Sequence, residues 1–218
     1  MFDRLRKALI RNGHHAVPHP ATPSAFAPVS QWAPSPGLNF ADQPSGFALD
    51  GHAAGKPFRL EVGPPSRHYI HGSELRARAE LGIDPDVLVV LMSRSLKEVL
   101  ERQAYARYTD SLQTSIDASL PEEMRLLAMY EEVGWDTMPR AFWSRYSVIA
   151  ESREGPQSWI DSELARQLLE WPAPGPDAQQ PFMLLLLRGK AYLRMQHGPG
   201  LHMPTLKHAT GVFTAACE

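Results

Sequence analysis

Residues Asp86 to Leu120 constrain the fold of this chain more than any other stretch. Val87-Leu88-Val89-Val90-Leu91-Met92 is a short apolar run rich in β-branched residues, bounded by Asp84-Pro85 and Ser93-Arg94-Ser95. Such a run predicts a strand buried on both faces. A helix should follow at once, because Ser95-Leu96-Lys97-Glu98 fits a capping box. In that motif the serine hydroxyl accepts from the N–H three residues on, and the glutamate reaches back to the serine N–H. Leu96, Leu100, Ala104, Tyr108, Leu112, Ile116 and Leu120 then recur every fourth residue. A four-residue repeat drifts about 40° per step around a helix. The helix should therefore touch several neighbours or break near Asp110 to Thr114, where helix propensity is poorer.

The chain has 218 residues, 43% of them hydrophobic, so it can bury a core without metal or disulfide staples. The single cysteine, Cys217, has no intrachain partner and suits a reducing cytoplasm. The apolar run Phe182 to Leu187 is far shorter than the roughly 20 residues that span a bilayer. Net charge is −2, with residues 95 to 170 carrying −6 and residues 1 to 11 carrying +3. An acidic helical middle argues against nucleic-acid binding by the folded part, since phosphate backbones are held by Lys and Arg.

Residues 1 to 11 place Phe2, Leu5 and Leu9 on one helical face and Arg4, Lys7 and Arg11 mainly on the other. A basic amphipathic helix of this kind can lie on an anionic membrane surface or dock in a partner's groove. Residues 12 to 56 hold seven prolines and five glycines, and their charged residues are Asp42, Asp50 and Lys56. That composition predicts a disordered linker. Phe26, Trp32, Phe40 and Phe47 would then serve as incidental apolar residues of a tether, or as docking points.

The folded domain is expected over residues 57 to 218. Phe58 to Val62 alternates like a strand with one wet face, and Ser73 to Leu81 reads as a short helix with Ser73 as N-cap and Gly82 at its end. Further helices are expected from the capping box Ser119-Leu120-Pro121-Glu122 to about Val133, from Thr137 and Pro139 through Phe142, Tyr146 and Ile149, and from Gly155-Pro156 through Ile160, Leu164 and Leu168. Phe182 to Leu187 and Ala191 to Gln196 should form a hairpin across Arg188-Gly189, its second arm nearer a sheet edge. Leu206 to Ala216 should close the chain as a helix. The expected fold is α+β: a small mixed sheet of about four strands (58 to 62, 87 to 92, 182 to 187, 191 to 196) packed against a multi-helix segment and preceded by a disordered arm.

Chemistry-bearing motifs are sparse. Gly51-His52-Ala53-Ala54-Gly55-Lys56 has too short a glycine spacing for a phosphate loop, and Pro57 stands where Ser or Thr would bind magnesium. The best polar constellation is Arg67, His68, His71 and Glu74 before the Ser73 element, with His197, His202 and His208 far along the chain. If they converged, His68, His71 and Glu74 would be candidate catalytic groups, and His68, His71, His197 and His202 candidate metal ligands. Unpatterned histidines more often sit as hydrogen-bonded surface or half-buried residues. Trp135, Trp143, Trp159 and Trp171 read as core before they read as a partner groove. Ser93-Arg94-Ser95, where the strand meets the helix, reads as a plain cap before an anion site.

The function expected on these grounds is non-enzymatic, with no cofactor. The chain reads as a cytoplasmic adaptor or accessory protein that binds another protein, with Phe2, Leu5 and Leu9 providing a second attachment to a partner or to the periphery of a membrane. The competing classes are a secreted or translocated protein with an N-terminal export segment, and a metal-assisted hydrolase using the His/Glu cluster.

Overall fold

The computed structural model describes residues 25–110, 121–173, 175–198 and 200–218. Its frame is one open sheet of nine strands: β1 (Asn39–Gln43), β2 (Gly46–Ala53), β3 (Lys56–Gly63), β4 (Ser73–Glu80), β5 (Val89–Ser93), β6 (Glu131–Val133), β7 (Tyr146–Ala150), β8 (Phe182–Leu187) and β9 (Lys190–His197). Their spatial order is β1-β2-β3-β4-β9-β8-β5-β7-β6, and every pairing is antiparallel. Seven helices accompany it among the described residues: α1 (Ala27–Trp32), α2 (Arg94–Asp110), α3 (Glu122–Met129), α4 (Arg140–Arg145), α5 (Glu154–Trp159), α6 (Ser162–Leu169) and α7 (Met203–Ala215). The fold is α+β, but the sheet is larger than the expected four strands and antiparallel rather than mixed.

The N-terminal half of the sheet corrects the linker reading. Residues 39–63 form β1, β2 and β3, joined at Pro44-Ser45 and at Ala54-Gly55. Ala54 and Gly55 both have positive φ, 48° and 76°, which is what a two-residue turn needs to match the twist of its strands. The aromatics of this region pack on the domain, with the ring of Phe47 5.1 Å from Phe26 and 6.0 Å from Phe40. Gly46 is required by close approach, since a Cβ there would lie 1.7 Å from the Val62 carbonyl oxygen. Residues 1–24, with the helix expected over 1–11, lie outside the described residues.

Residues 73–80 are a strand, not the expected helix. Leu75, Ala77 and Ala79 are buried while Arg76 and Arg78 point to the opposite face, so a period of two overrides the good helix propensity of Glu, Leu, Arg and Ala. Tyr146–Ala150 is likewise a strand that follows the short α4, and Glu131–Val133 is an edge strand rather than the end of α3. The expected helix after Gly155 is two, α5 and α6, with Ile160, Leu164 and Leu168 buried as their spacing implies. Helix α2 begins at Arg94, so Ser95 sits within its first turn instead of capping it. Helix α3 has Pro121 at its N-cap and no side-chain cap. The break expected after Asp110 and the Ser119 cap fall in residues outside the description.

The hairpin of β8 and β9 turns at Arg188-Gly189, again with both φ values positive. Its second arm is not near an edge. Strand β9 is the middle of the nine, because the hairpin inserts between β4 and β5 and joins two half-sheets that are consecutive in the chain. One face of the sheet carries the larger core, with Phe47, Leu60, Leu75, Leu91, Val148, Leu184 and Leu193 against α1, α4, α6 and α7. Among the described residues the helical cover of the opposite face lies over β8, β5 and β7, where Leu96 and Leu100 of α2, Met124 and Leu126 of α3, and Tyr69 and Ile70 of loop 64–72 meet Val90, Met92, Ile149, Met183 and Leu185. Loop 64–72 also closes over Glu74 of β4 and Arg194 of β9. Over β9, β4, β3, β2 and β1 none of these helices covers that face.

Candidate protein-binding face of the sheet

Strand alternation decides what the uncovered face presents. With Phe58, Leu60, Leu75, Ala77, Leu193 and Met195 committed to the large core, Arg59 and Glu61 of β3, Arg76 and Arg78 of β4, and Tyr192 and Arg194 of β9 must point the other way. Register then sets two rows across the strands. Arg59 lies opposite Arg78, which lies opposite Tyr192; Glu61 lies opposite Arg76, which lies opposite Arg194. These six residues line a groove of about 380 Å³.

Two directly opposed arginine pairs on one face are unfavourable unless compensated, since like charges in register destabilise a sheet. Compensation is uneven. Arg59 pairs with Asp50 at 3.0 Å and Glu61 at 2.8 Å, and Arg76 pairs with Glu61 at 2.9 Å. Burial alone would raise the Glu61 pKa, but hydrogen bonds from Arg59, Arg76 and Gln43 outweigh it and hold the carboxyl down at about 2. Arg194 donates to Glu74 at 2.8 Å. Arg78 is exposed, and no hydrogen bond or ion pair engages it among the described residues.

The groove ends at a buried ionic cluster. Glu74 is fully buried and accepts from the Ser66 backbone N–H at 2.6 Å as well as from Arg194. Glu123, at the start of α3, accepts from Arg67 at 2.6 Å and from the Tyr69 hydroxyl at 3.3 Å through one oxygen, and its other oxygen is buried without a partner. Burial, with the Glu123 charge adding to it, raises the Tyr69 pKa, so the phenol stays a donor. The cluster ties loop 64–72 and α3 to β4 and β9. Glu74 is thus committed to arginine and backbone donors, not left open as a base or metal ligand.

The candidate histidines fall in several places. His68 Nε2 meets Gln103 Oε1 at 2.7 Å on the exposed side of α2, and the His71 backbone N–H donates to Gln196. His202 sits at the N-cap of α7, where its Nδ1 meets the Thr205 hydroxyl at 2.7 Å, and His208 Nε2 donates to the Gln167 carbonyl at 2.8 Å. His197 is buried and donates from Nδ1 to the Gly198 carbonyl, which leaves Nε2 an unpaired acceptor. His197 and His202 share a cavity of about 360 Å³ with Gln180 and Thr205, and neither His68 nor His71 lines it. Among the described residues no group of three or more His, Cys, Asp or Glu is placed to hold a metal ion.

Trp135 and Trp143 stack edge to face at 5.1 Å, and Trp171 donates to the Tyr146 hydroxyl; both contacts belong to the core side of the molecule. Phe2, Leu5 and Leu9 lie outside the described residues. Among the described residues no helix is long and apolar enough to cross a membrane. Comparison with known protein families, curated proteins and solved structures finds no match to this chain. The arginine rows escape sequence reasoning because Arg59, Arg76, Arg78 and Arg194 become neighbours only once the register of three strands is known.

Proposed function

We propose that this chain is a non-enzymatic, cytoplasmic adaptor or accessory protein whose open half-sheet docks a protein partner. One observation carries the reading: among the described residues no helix covers a face paved with arginines in opposed pairs, although the other half of the same face is roofed by α2, α3 and loop 64–72. Local rules of sheet design are broken most readily where a surface serves binding. Arginine and tyrosine are also among the side chains enriched at protein interfaces. The amphipathic amino terminus with Phe2, Leu5 and Leu9 provides a second attachment, to the same partner or to a membrane surface.

Photo-crosslinking in the native cell tests this. Benzoylphenylalanine replacing Tyr192 should yield a discrete cross-linked protein, and the same group replacing Glu163 on the exposed side of α6 should not. Equal cross-linking from both positions, or none from position 192, overturns the reading.

A further inference from the structure

We propose that the occupant of the groove is an extended acidic segment of the partner, with a carboxylate seated between Arg78 and Arg59; this rests on the open face being a docking surface. No hydrogen bond or ion pair among the described residues engages the guanidinium of Arg78, which stands in a row with Arg59 and Tyr192. Adjacent strands lie about 4.8 Å apart, so one carboxylate above Arg59 and Arg78 can accept from both. Arg–carboxylate pairing is commonly bidentate, and an anion there converts an opposed like-charge pair into a bridge.

The charge balance favours a polypeptide over a nucleic acid. Arg59 is shared with Asp50 and Glu61, Arg76 with Glu61 and Glu74, and Arg194 with Glu74, so among the described residues the groove holds one uncommitted cation, Arg78. A phosphate backbone gains affinity by meeting several free cations at once, and Glu61 and Asp50 on the same face would repel it. An acidic side chain on a peptide needs only the one anchor.

The spacing of the anchors says how the segment lies. Arg76 and Arg78 sit two residues apart on one strand, about 6.8 Å, which is also the i to i+2 distance of an extended peptide. The ion pairs of Arg76 engage Nε and Nη1, leaving Nη2 outside them. A segment running along β4 with acidic residues at alternate positions therefore meets Arg78 first and Arg76 second. The Tyr192 ring, half-buried against the roofed half, forms a side wall of this track.

The test uses the full chain and an octapeptide alternating Thr and Glu, followed by NMR of the arginine Nε–Hε groups and the backbone amides. The Arg78 Nε–Hε signal and amides of β3, β4 and β9 should shift, and Arg78→Gln should weaken binding about tenfold. A Thr/Gln octapeptide should not bind, and affinity should fall with salt. Equal binding by the Thr/Gln peptide, equal binding by Arg78→Gln, shifts confined to other surfaces, or tighter binding of a single-stranded oligonucleotide on this face would each overturn the acidic occupant. Cross-linking from position 192 without binding of the acidic peptide overturns this proposal and leaves the docking face standing. Peptide binding without cross-linking overturns the docking face and with it the partner segment, leaving a groove that takes an acidic peptide only in the tube.

Discussion

Arg59 of β3 and Arg78 of β4 lie directly opposite each other in register, on the side of the sheet that none of the helices α1–α7 covers. Arg59 is neutralised by Asp50 and Glu61, and Arg78 by nothing among the described residues. The pair is a local cost in the isolated domain. It becomes useful when an anion joins the two guanidinium groups.

Removing that cost should stabilise the free protein. Arg78→Thr is expected to be about 0.2–1 kcal/mol more stable than Arg78→Lys, which keeps the opposed charge, in urea unfolding at low salt. High salt should narrow the difference. A threonine variant less stable than the lysine variant would mean that Arg78 supports the fold.

Glu74 should behave oppositely. Its carboxylate is fully buried and holds Arg194 and the Ser66 N–H, so Glu74→Ala leaves a half-buried guanidinium without its partner and should cost about 3–5 kcal/mol. Chemical denaturation measures this directly. A cost below about 1 kcal/mol, the level of an exposed pair, would show that water or another group replaces the carboxylate.

His197 and Glu61 both give acid-side pH dependence. Burial lowers the His197 pKa below the ordinary histidine value of 6.5, with the nearby His202 adding to the effect against the Gly198 hydrogen bond. The unfolded chain then takes up a proton that the folded chain refuses, so stability is full above 6.5 and declines as pH falls from there toward the lowered value. Glu61, held at about 2, contributes stability that is present above the ordinary value of 4.5 and lost as pH falls toward 2. NMR titration of the His197 ring and the Glu61 carboxyl checks both. A His197 midpoint at or above 6.5, or a Glu61 midpoint near 4.5, contradicts the environments described.

Cys217 stands next to the last residue yet is buried, and burial pushes its thiol up to about 12. Native protein at pH 8 should therefore resist iodoacetamide, with labelling following unfolding. Rapid labelling of the folded state would show that the end of α7 is not docked as described.

What the sequence made legible was the buried apolar runs and one turn. Strands β5 and β8, the Arg188-Gly189 hairpin and the closing helix all follow from β-branched or leucine runs and from turn chemistry that leave little alternative. Strand β4 was hidden because Ser-Glu-Leu-Arg-Ala-Arg-Ala-Glu combines residues of good helix propensity with a period of two, and only pairing to β3 and β9 lets the period win. Strands β1 and β2 were hidden by a Pro-, Ala- and Gly-rich composition in which Phe47 and Leu49 carry the core face. The short Gly51–Lys56 glycine spacing is the end of β2 and a two-residue hairpin. The ionic cluster depends on Glu123 and Arg194 arriving from distant segments, so spacing along the chain held no sign of it.

Arginine footprinting with phenylglyoxal tests the central claim most directly. In intact native cells, Arg59 and Arg78 should be modified much less than in the purified chain, when both are normalised to Arg153, an exposed arginine outside the groove. Protection at Arg59 and Arg78 with none at Arg153 is the result expected if a partner covers the open half-sheet. Equal modification in cells and in purified protein would contradict it.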